Sequence, residues 1–220
     1  MTPHATPSDR ASALYRLLAA PGTPRTLEIR VVETPPSAAG PAADATTCWF
    51  IDPAAAPDAE PPFARRSFER LLLHRTLDEL AGSRRDGGPA FDAGTFLTRL
   101  AGLLVPGGVM AGLVHNSESL RRAVGHRATS AAHYTLHDLH RSLAAAGLED
   151  QRVFTVLPSG DDSMRLIDTD AGVSRAMFRH ELAGARGRFL PYVARRIAVE
   201  LGLHQRFMSP AFFFWARARC

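Results

Sequence analysis

The sequence predicts an α/β fold built around one hydrophobic core. Short apolar runs bounded by proline, glycine and polar residues recur along the chain, and such runs are typical of strands. Several longer segments between them carry apolar residues every three or four positions, which is typical of helices. With 220 residues, of which 45% are hydrophobic, the chain is long enough for one full-sized core. We therefore expect residues 1–220 to form a single domain.

The N-terminal part predicts a helix and two strands. Residues 1–25 are expected to form a tail and a helix, and strands are expected over residues 26–32 and 47–52. The connection over residues 33–46 contains three prolines and no helical pattern. Parallel neighbours need a crossover of about a dozen residues or more, which is usually helical. We therefore expect these two strands to form an antiparallel hairpin or to be partly irregular.

The middle of the chain predicts strand, helix and strand in turn. Residues 68–73 form a short apolar strand, and residues 77–80 follow as a turn of helix. Asp92 caps a helix that is expected to end at the Pro-Gly-Gly sequence of residues 106–108. The apolar face of this helix consists of Phe96, Leu97, Leu100, Leu103 and Leu104. Residues 109–114 then predict a buried strand.

The last third predicts one more helix and a long insertion between two strands. Thr135 and Asp138 form a T-x-x-D capping box, and Gly147 ends the helix that follows. The remaining strands are expected over residues 151–157 and 212–217. Residues 158–209, between these strands, carry helical patterns over residues 174–182 and 189–203. Such helices either cover a core or meet a partner, and a substrate lid is the functional version of the same arrangement.

The stretch from Pro61 to Asn116 resembles part of a known family. Pro62-Phe63, Ser67-Phe68 and Leu71 to His74 resemble the "LPF…SFD…VLLHH" stretch of class I S-adenosylmethionine (SAM)-dependent methyltransferases of type 11. Leu103 to Gly108 resembles their "LLKPGG" sequence. The resemblance implies a Rossmann-like sheet whose last two strands form an antiparallel hairpin. It also implies SAM as the cofactor of an active member.

The N-terminal half departs from the pattern of that family. Leu27-Glu28-Ile29 fits the family sequence "VLEIGCGxG", but Arg30 and Val32 stand at the glycine positions. Those glycines take positive φ and let the backbone approach the cofactor closely, which a β-branched residue resists. The family also has two further strands with their helices in the region that is proline-rich here. We therefore expect a shortened N-terminal half with a degenerate SAM-binding loop.

The resemblance implies a small set of cofactor-binding residues. Glu28 matches the acid of the first strand, Asp52 the acid that holds the ribose hydroxyls, and Asp58 the aspartate that faces the adenine. Asp52 and Asp58 are too close in sequence for a crossover helix between them, so both cannot hold their family places, and surface or turn acids are the alternative. His74 and Arg75 complete the set, because they end a strand where open α/β sheets place ligands. His74 is the candidate catalytic base, and a histidine that only fills the rim is the alternative.

Other polar residues carry weaker signals. His115-Asn116 is a further rim position, and Asp78-Glu79 are expected to be solvated or paired with Arg75. The histidines at positions 126, 133, 137 and 140 invite a metal interpretation, but the predicted helix begins after Thr135, so His133 lies outside it. His137 and His140 then lack a third ligand, and we expect no metal.

Composition argues against several function classes. All 26 basic residues are arginine, in scattered pairs rather than one basic stripe, which argues against a nucleic-acid partner. Cys48 and Cys220 form no disulfide framework. The sequence shows neither a signal peptide nor an apolar run of membrane-spanning length, so we expect a cytoplasmic protein without a membrane partner.

Two functional hypotheses follow. The first is a methyltransferase-superfamily protein with a degenerate SAM-binding half, acting as a non-catalytic or repurposed binding or partner subunit. Its ligand would be a small molecule or a protein, in a homo- or hetero-oligomer. The second is an active SAM-dependent methyltransferase that acts on a small molecule with a remodelled cofactor loop. The residues at the glycine positions favour the first.

Overall fold

A computed structural model describes residues 25–31, 46–51, 61–73, 76–83, 91–119, 134–158, 164–184 and 189–220. The strands of these ranges are β1 (Thr26–Val31), β2 (Thr46–Ile51), β3 (Phe68–Leu73), β4 (Leu104–His115), β5 (Leu148–Pro158), β6 (Met164–Asp168) and β7 (Ala211–Ala218). The helices are α1 (Thr76–Ser83), α2 (Ala93–Ala101), α3 (Leu136–Ala145), α4 (Ala171–Gly184), α5 (Phe189–Glu200) and α6 (His204–Phe207). None of these helices is long and apolar enough to cross a membrane.

The strands form one mixed sheet in the order β2-β1-β3-β4-β7-β5-β6. Strands β2, β1, β3 and β4 are parallel, whereas β7 runs antiparallel to both β4 and β5. The predicted α/β class and the antiparallel pairing of the last two predicted strands are confirmed. From β1 the chain first adds β2 on one side and then returns to add β3 on the other. The strand order therefore reverses between β1 and β3.

The direction of β2 corrects the sequence analysis. Thr26 lies opposite Thr46 and Val31 opposite Ile51 in a parallel register. The expected antiparallel hairpin is therefore wrong. A parallel crossover needs about a dozen residues, and the connection over residues 32–45 is longer than that. Its length therefore permits a parallel crossover, although its sequence has no helical pattern.

The Pro-Gly-Gly sequence lies inside a strand and does not end a helix. Helix α2 ends at Ala101, and β4 begins at Leu104 and runs through Pro106 to Gly108. Gly107 has φ 76°, and the register of β3 against β4 shifts between Phe68 and Arg70. Positive φ and a shifted register are the marks of a β-bulge. Leu103 and Leu104 are buried as predicted, but they are not part of the helix.

The main core lies between the sheet and helices α1 to α3. It contains Leu97 and Leu100 of α2, Leu139 and Leu143 of α3, and Phe214 of β7. The predicted caps of these helices are confirmed. The Asp92 carboxylate accepts a hydrogen bond from the Gly94 N–H, the Thr135 hydroxyl accepts one from the Asp138 N–H, and Gly147 has φ 75°.

The segment between β5 and β7 contains β6 and helices α4 to α6. Both predicted helices of this insertion are confirmed. Strand β6 and helix α6 were not predicted, because they are only five and four residues long, respectively. The insertion has its own small core, formed by Ile167, Phe178, Leu182 and Val199.

Candidate functional site

The carboxyl ends of β1, β3 and β4 lie along one edge of the sheet, because these strands are parallel. Open α/β sheets bind ligands beside this edge, at the point where the strand order reverses. Here that point lies between β1 and β3. Helix α1 follows β3 and helix α3 follows β4, so both helices begin near the same edge. The residues at these strand ends and helix starts therefore form the candidate site.

At its carboxyl end, β1 remains paired with β2 as an ordinary strand. Arg30 lies opposite Phe50 and Val31 opposite Ile51, so the extended pairing with β2 continues past the first glycine position of the family pattern. The Arg30 Nε donates a hydrogen bond to Glu28 Oε1 at 2.6 Å, and the two side chains form an ion pair. Glu28, the predicted cofactor acid, is therefore engaged by its own strand neighbour.

The neighbouring strand places a cysteine opposite that acid. Cys48 of β2 is the register partner of Glu28. Burial, and then the negative charge of Glu28, raise the pKa of the Cys48 thiol. Because the thiolate is the reactive form of cysteine, these effects argue against a nucleophilic role for Cys48.

The start of α1 is tied to two strands of the sheet. The buried Thr76 hydroxyl donates a hydrogen bond to the Ile29 carbonyl of β1 at 2.9 Å. Asp78, whose side chain has no solvent exposure, accepts a hydrogen bond at Oδ2 from the His115 backbone N–H of β4 at 2.8 Å. Of the two expectations for Asp78, solvation is wrong because this carboxylate is buried, whereas pairing with Arg75 lies outside the described residues.

Asp78 and His115 also interact through their side chains. The Asp78 Oδ2 lies 2.8 Å from His115 Nδ1, and the imidazole side chain is 31% exposed. A carboxylate can only accept hydrogen bonds, so Nδ1 carries a proton in this contact. This arrangement orients an imidazole as an acceptor or a base, as in carboxylate–histidine pairs generally.

Asn116 joins the end of β4 to the insertion. Its buried amide nitrogen donates to the carbonyl oxygens of Gln205, Arg206 and Ser209, at 3.3, 2.9 and 2.8 Å. The side chains of Arg206 and Glu118 add an ion pair at 2.6 Å. The segment that contains α6 is therefore fixed at the carboxyl edge of the sheet, directly beside His115.

Tyr134 completes the described network. Its backbone N–H donates to the His115 carbonyl at 3.0 Å, and its carbonyl accepts from the Ser117 N–H at 3.2 Å. Burial, and then the charges of Asp78 and Asp92, raise the pKa of the Tyr134 hydroxyl well above its ordinary value. The hydroxyl is therefore neutral at physiological pH and can donate a hydrogen bond.

A cavity of about 530 Å³ lies between the start of α3 and the segment that contains α6. Its lining includes Glu118, Thr135, His137, His140, Arg206 and Phe212. This volume falls within the range of small-molecule sites. The His140 Nδ1 lies 2.9 Å from Gln151 Oε1, and the described residues contain no group of three or more histidine, cysteine, aspartate or glutamate residues that could hold a metal.

The predicted site residues fall into two groups. Glu28 is placed, and its carboxylate faces Arg30. Asp52, Asp58, His74 and Arg75 lie outside the described residues, so their predicted roles stay predictions. His115 was predicted as a rim residue, but its pairing with Asp78 was not predicted. No local signal reveals that contact, because it joins residues 37 positions apart.

Comparisons with known proteins identify the fold. No protein-family model and no curated protein matches the sequence. A solved SAM-dependent methyltransferase from Archaeoglobus fulgidus superimposes with a TM-score of 0.55, covers 97% of this chain and 95% of its own, and is 11% identical. A SAM-dependent methyltransferase from Thermotoga maritima, described as a possible histamine N-methyltransferase, gives a TM-score of 0.53 over 96% and 88% of the two chains at 12% identity. At such identities the likeness establishes the fold alone.

Proposed function

We propose that this chain, which has the fold of the SAM-dependent methyltransferases, does not hold SAM in the manner of that family. It would act instead as a non-catalytic or repurposed binding subunit, whose ligand is a small molecule or a protein partner. The observation that carries this proposal is the end of β1, where strand pairing continues through Arg30 to Val31. A cofactor loop needs the chain to turn and approach the ligand at these positions.

Two physical requirements of a family-type SAM site conflict with this end of the strand. Close approach of the backbone to a ligand favours glycine, whereas Arg30 brings a Cβ and a long side chain. The acid of the first strand must present its oxygens to the cofactor, whereas Glu28 Oε1 accepts a hydrogen bond from Arg30. Both observations support loss of the family manner of binding.

The polar residues elsewhere on the carboxyl edge favour a site that still binds a ligand over an edge that only stabilises the fold. Asp78, His115, Asn116 and Tyr134 form a connected polar network beside the reversal point of the sheet. Buried polar groups of this kind are costly unless they are fully paired or serve a specific role. The network therefore favours repurposing of the edge.

A second candidate is an active SAM-dependent methyltransferase that acts on a small molecule with a remodelled cofactor loop. The parallel pairing of β1 with β2 favours it, because it preserves the reversal of strand order at which nucleotides bind. In that case SAM would supply the methyl group, and His115 or the predicted His74 would accept a proton from the substrate.

Thermal unfolding with and without S-adenosylhomocysteine distinguishes the two candidates. A ligand at about 100 times its Kd stabilises the native state by about 2.7 kcal/mol, which raises Tm by several degrees in a chain of this length. The proposal predicts that 1 mM S-adenosylhomocysteine leaves Tm within about 1 °C of its value with 1 mM adenosine as control. A shift of several degrees specific to S-adenosylhomocysteine would favour the active enzyme.

A further inference from the structure

We propose that His204 is a pH-sensitive latch, whose protonation releases the segment that contains α6 from the carboxyl edge of the sheet. That segment forms one wall of the cavity of about 530 Å³ beside α3, through Gly202, Leu203, Gln205 and Arg206. Its release therefore opens this cavity at acidic pH. The latch is a property of the insertion and does not depend on whether the chain binds SAM.

His204 is an almost completely buried histidine at the first position of α6. Its side chain is enclosed by α4, where the fully buried Ser174 places its hydroxyl oxygen 2.7 Å from Nε2. The Phe178 ring of α4 packs against the imidazole, with the ring centroids 4.8 Å apart. Because the histidine and the serine are both shielded from solvent, the pair is not placed to attack a substrate. It joins α6 to α4.

The second ring nitrogen, Nδ1, distinguishes the two charge states of this histidine. His204 Nδ1 is buried and makes no hydrogen bond within the described part of the chain. The Ser174 hydroxyl can donate or accept, so it satisfies Nε2 in either neutral tautomer. A protonated ring carries a hydrogen on both nitrogens, and Nδ1 then becomes a charged donor that is buried without an acceptor. That state is much the costlier of the two.

The charged groups of the surrounding helices also oppose protonation. Helices α4 and α5 pack against α6. From α4, Arg175 brings a positive charge that acts on the His204 ring. The other described side chains of these three helices that carry charge or can titrate are Arg179, His180, Arg195, Arg196, Glu200 and Arg206. All but one of these are cations or can become cations, so they give the protonated ring little support.

The described carboxylates in this region already have partners. Their ion pairs are Glu200 with Arg179, Glu118 with Arg206 and Asp78 with His115. Asp168 and Asp170 lie before α4, and each accepts a hydrogen bond from a backbone N–H group, of Asp170 and Gly172 respectively. The charge that these elements direct at the ring is therefore the positive charge of Arg175.

A release of α6 would reach the edge of the sheet through two sets of hydrogen bonds. The Asn116 amide at the end of β4 donates to the carbonyl oxygens of Gln205 and Arg206, the two residues that follow His204. The Gln205 side chain donates to the Thr169 carbonyl at 2.6 Å, just before α4. The same short segment thus carries the buried histidine and the contacts that fix the cavity wall.

The sign of the pH effect follows from the two states of the segment. In the closed state, burial and then the charge of Arg175 lower the pKa of His204 below its ordinary value. In the open state the ring is hydrated and has an ordinary pKa of about 6.5. The open state binds more protons, so the closed state loses stability as the pH falls below about 6.5. For a ring that stays neutral when closed, the open fraction rises about tenfold between pH 7.5 and pH 5.5.

Hydrogen exchange of the full chain, read by mass spectrometry, measures this opening. Protection is the ratio of the intrinsic exchange rate to the observed rate, so the pH dependence of the intrinsic rate cancels. Peptides from α4 and from the segment that contains α6 should lose about tenfold in protection from pH 7.5 to pH 5.5. Peptides from α2 should stay better protected than these at both values. Equal protection of both sets at pH 5.5 would mean that the whole chain unfolds, and would overturn the latch.

Two matched variants assign the response to one histidine. His204→Gln replaces the imidazole with an amide that does not titrate and can still bond to Ser174, so protection should change by less than about twofold between the two pH values. His180→Gln removes an exposed histidine of α4 and should keep the full tenfold loss, to within about twofold. A His204→Gln variant with an undiminished response would overturn the proposal.

Titration of the unmodified chain decides the matter if His204→Gln fails to fold. The Cε1–H resonances of His204 and His180, assigned through the backbone, report the charge of each ring. His204 should titrate at a lower pH than the exposed His180. A His204 ring that titrates at the same pH as His180, or at a higher one, would overturn the latch. Neither outcome depends on S-adenosylhomocysteine, so the latch and the proposed function can fail separately.

Discussion

The carboxyl ends of β1 and β4 belong to the same sheet edge, yet their charged residues form ion pairs of different kinds. At the end of β1, Glu28 and Arg30 pair within one strand, and their side chains are 14% and 37% exposed. At the end of β4, His115 pairs with an entirely buried carboxylate from another element. Partly exposed pairs contribute little to stability, whereas a buried pair is sensitive to loss of either partner. Under the proposed function, the β1 end of the edge is the replaced end and the β4 end is the retained one.

Loss of the buried carboxylate should have the largest effect on stability. Asp78→Ala removes the acceptor of two hydrogen bonds and leaves their donors unpaired, so we expect the free energy of unfolding to fall by about 3–5 kcal/mol. Urea denaturation at pH 7.5 measures this change. The control is Glu149→Ala, whose ion pair with Arg219 is exposed and should be worth less than about 1 kcal/mol. Equal losses in the two variants would remove the contrast between the ends of the edge.

Close packing beneath the retained end predicts the next effect. A Cβ added at Gly112 of β4 would lie 2.6 Å from the Phe214 ring and 3.0 Å from the Leu73 Cβ. Gly112→Ala should therefore lower the free energy of unfolding by about 1–3 kcal/mol, since Phe214 is fully buried and has little room to move. Gly172→Ala is the matched control, because its Cβ would meet only an ordinary contact at 3.4 Å. A neutral Gly112→Ala variant would show that β4 and β7 pack loosely here.

The start of α3 should give a smaller effect. Thr135→Ala removes the hydroxyl that accepts from the Asp138 N–H at 3.0 Å, and loss of such a cap costs about 1 kcal/mol. Thr135→Ser keeps the hydroxyl and should restore most of the loss in the same denaturation experiment. If serine fails to rescue, the threonine methyl group and not the cap holds this end of the helix.

The replaced end of the edge should be the least sensitive. Glu28→Gln weakens the pair with Arg30, and we expect a change of less than about 1 kcal/mol in the free energy of unfolding, because part of the pair is solvated. The change should shrink further in 1 M salt, which screens exposed charges. A loss as large as that of Asp78→Ala would mean that both ends of the edge depend on buried electrostatics.

Prediction from the sequence was most accurate where neighbouring residues alone determine the local structure. The cap residues Asp92 and Thr135 and the terminating Gly147 act on their own helix, so they were visible in the sequence. The Pro-Gly-Gly sequence was misassigned, because its conformation depends on the register of β4 against β3.

Long-range features of the site could not be predicted in the same way. The direction of β2 depends on pairing with β1, which its own residues do not encode. Asp78 looks like a surface acid in sequence, since only the folded sheet brings His115 to it across 37 positions. The polar network that singles out the carboxyl edge is therefore a product of topology.

Calorimetric titration of S-adenosylhomocysteine into the full chain tests the central claim most directly, namely that the end of β1 no longer binds the family cofactor. With about 100 µM protein, a site with a Kd of about 1 µM, or about −8 kcal/mol, gives a sigmoidal isotherm, because the protein is then at about 100 times Kd. The account predicts only the heat of dilution, the same as for adenosine. A one-to-one isotherm with a micromolar Kd would contradict it.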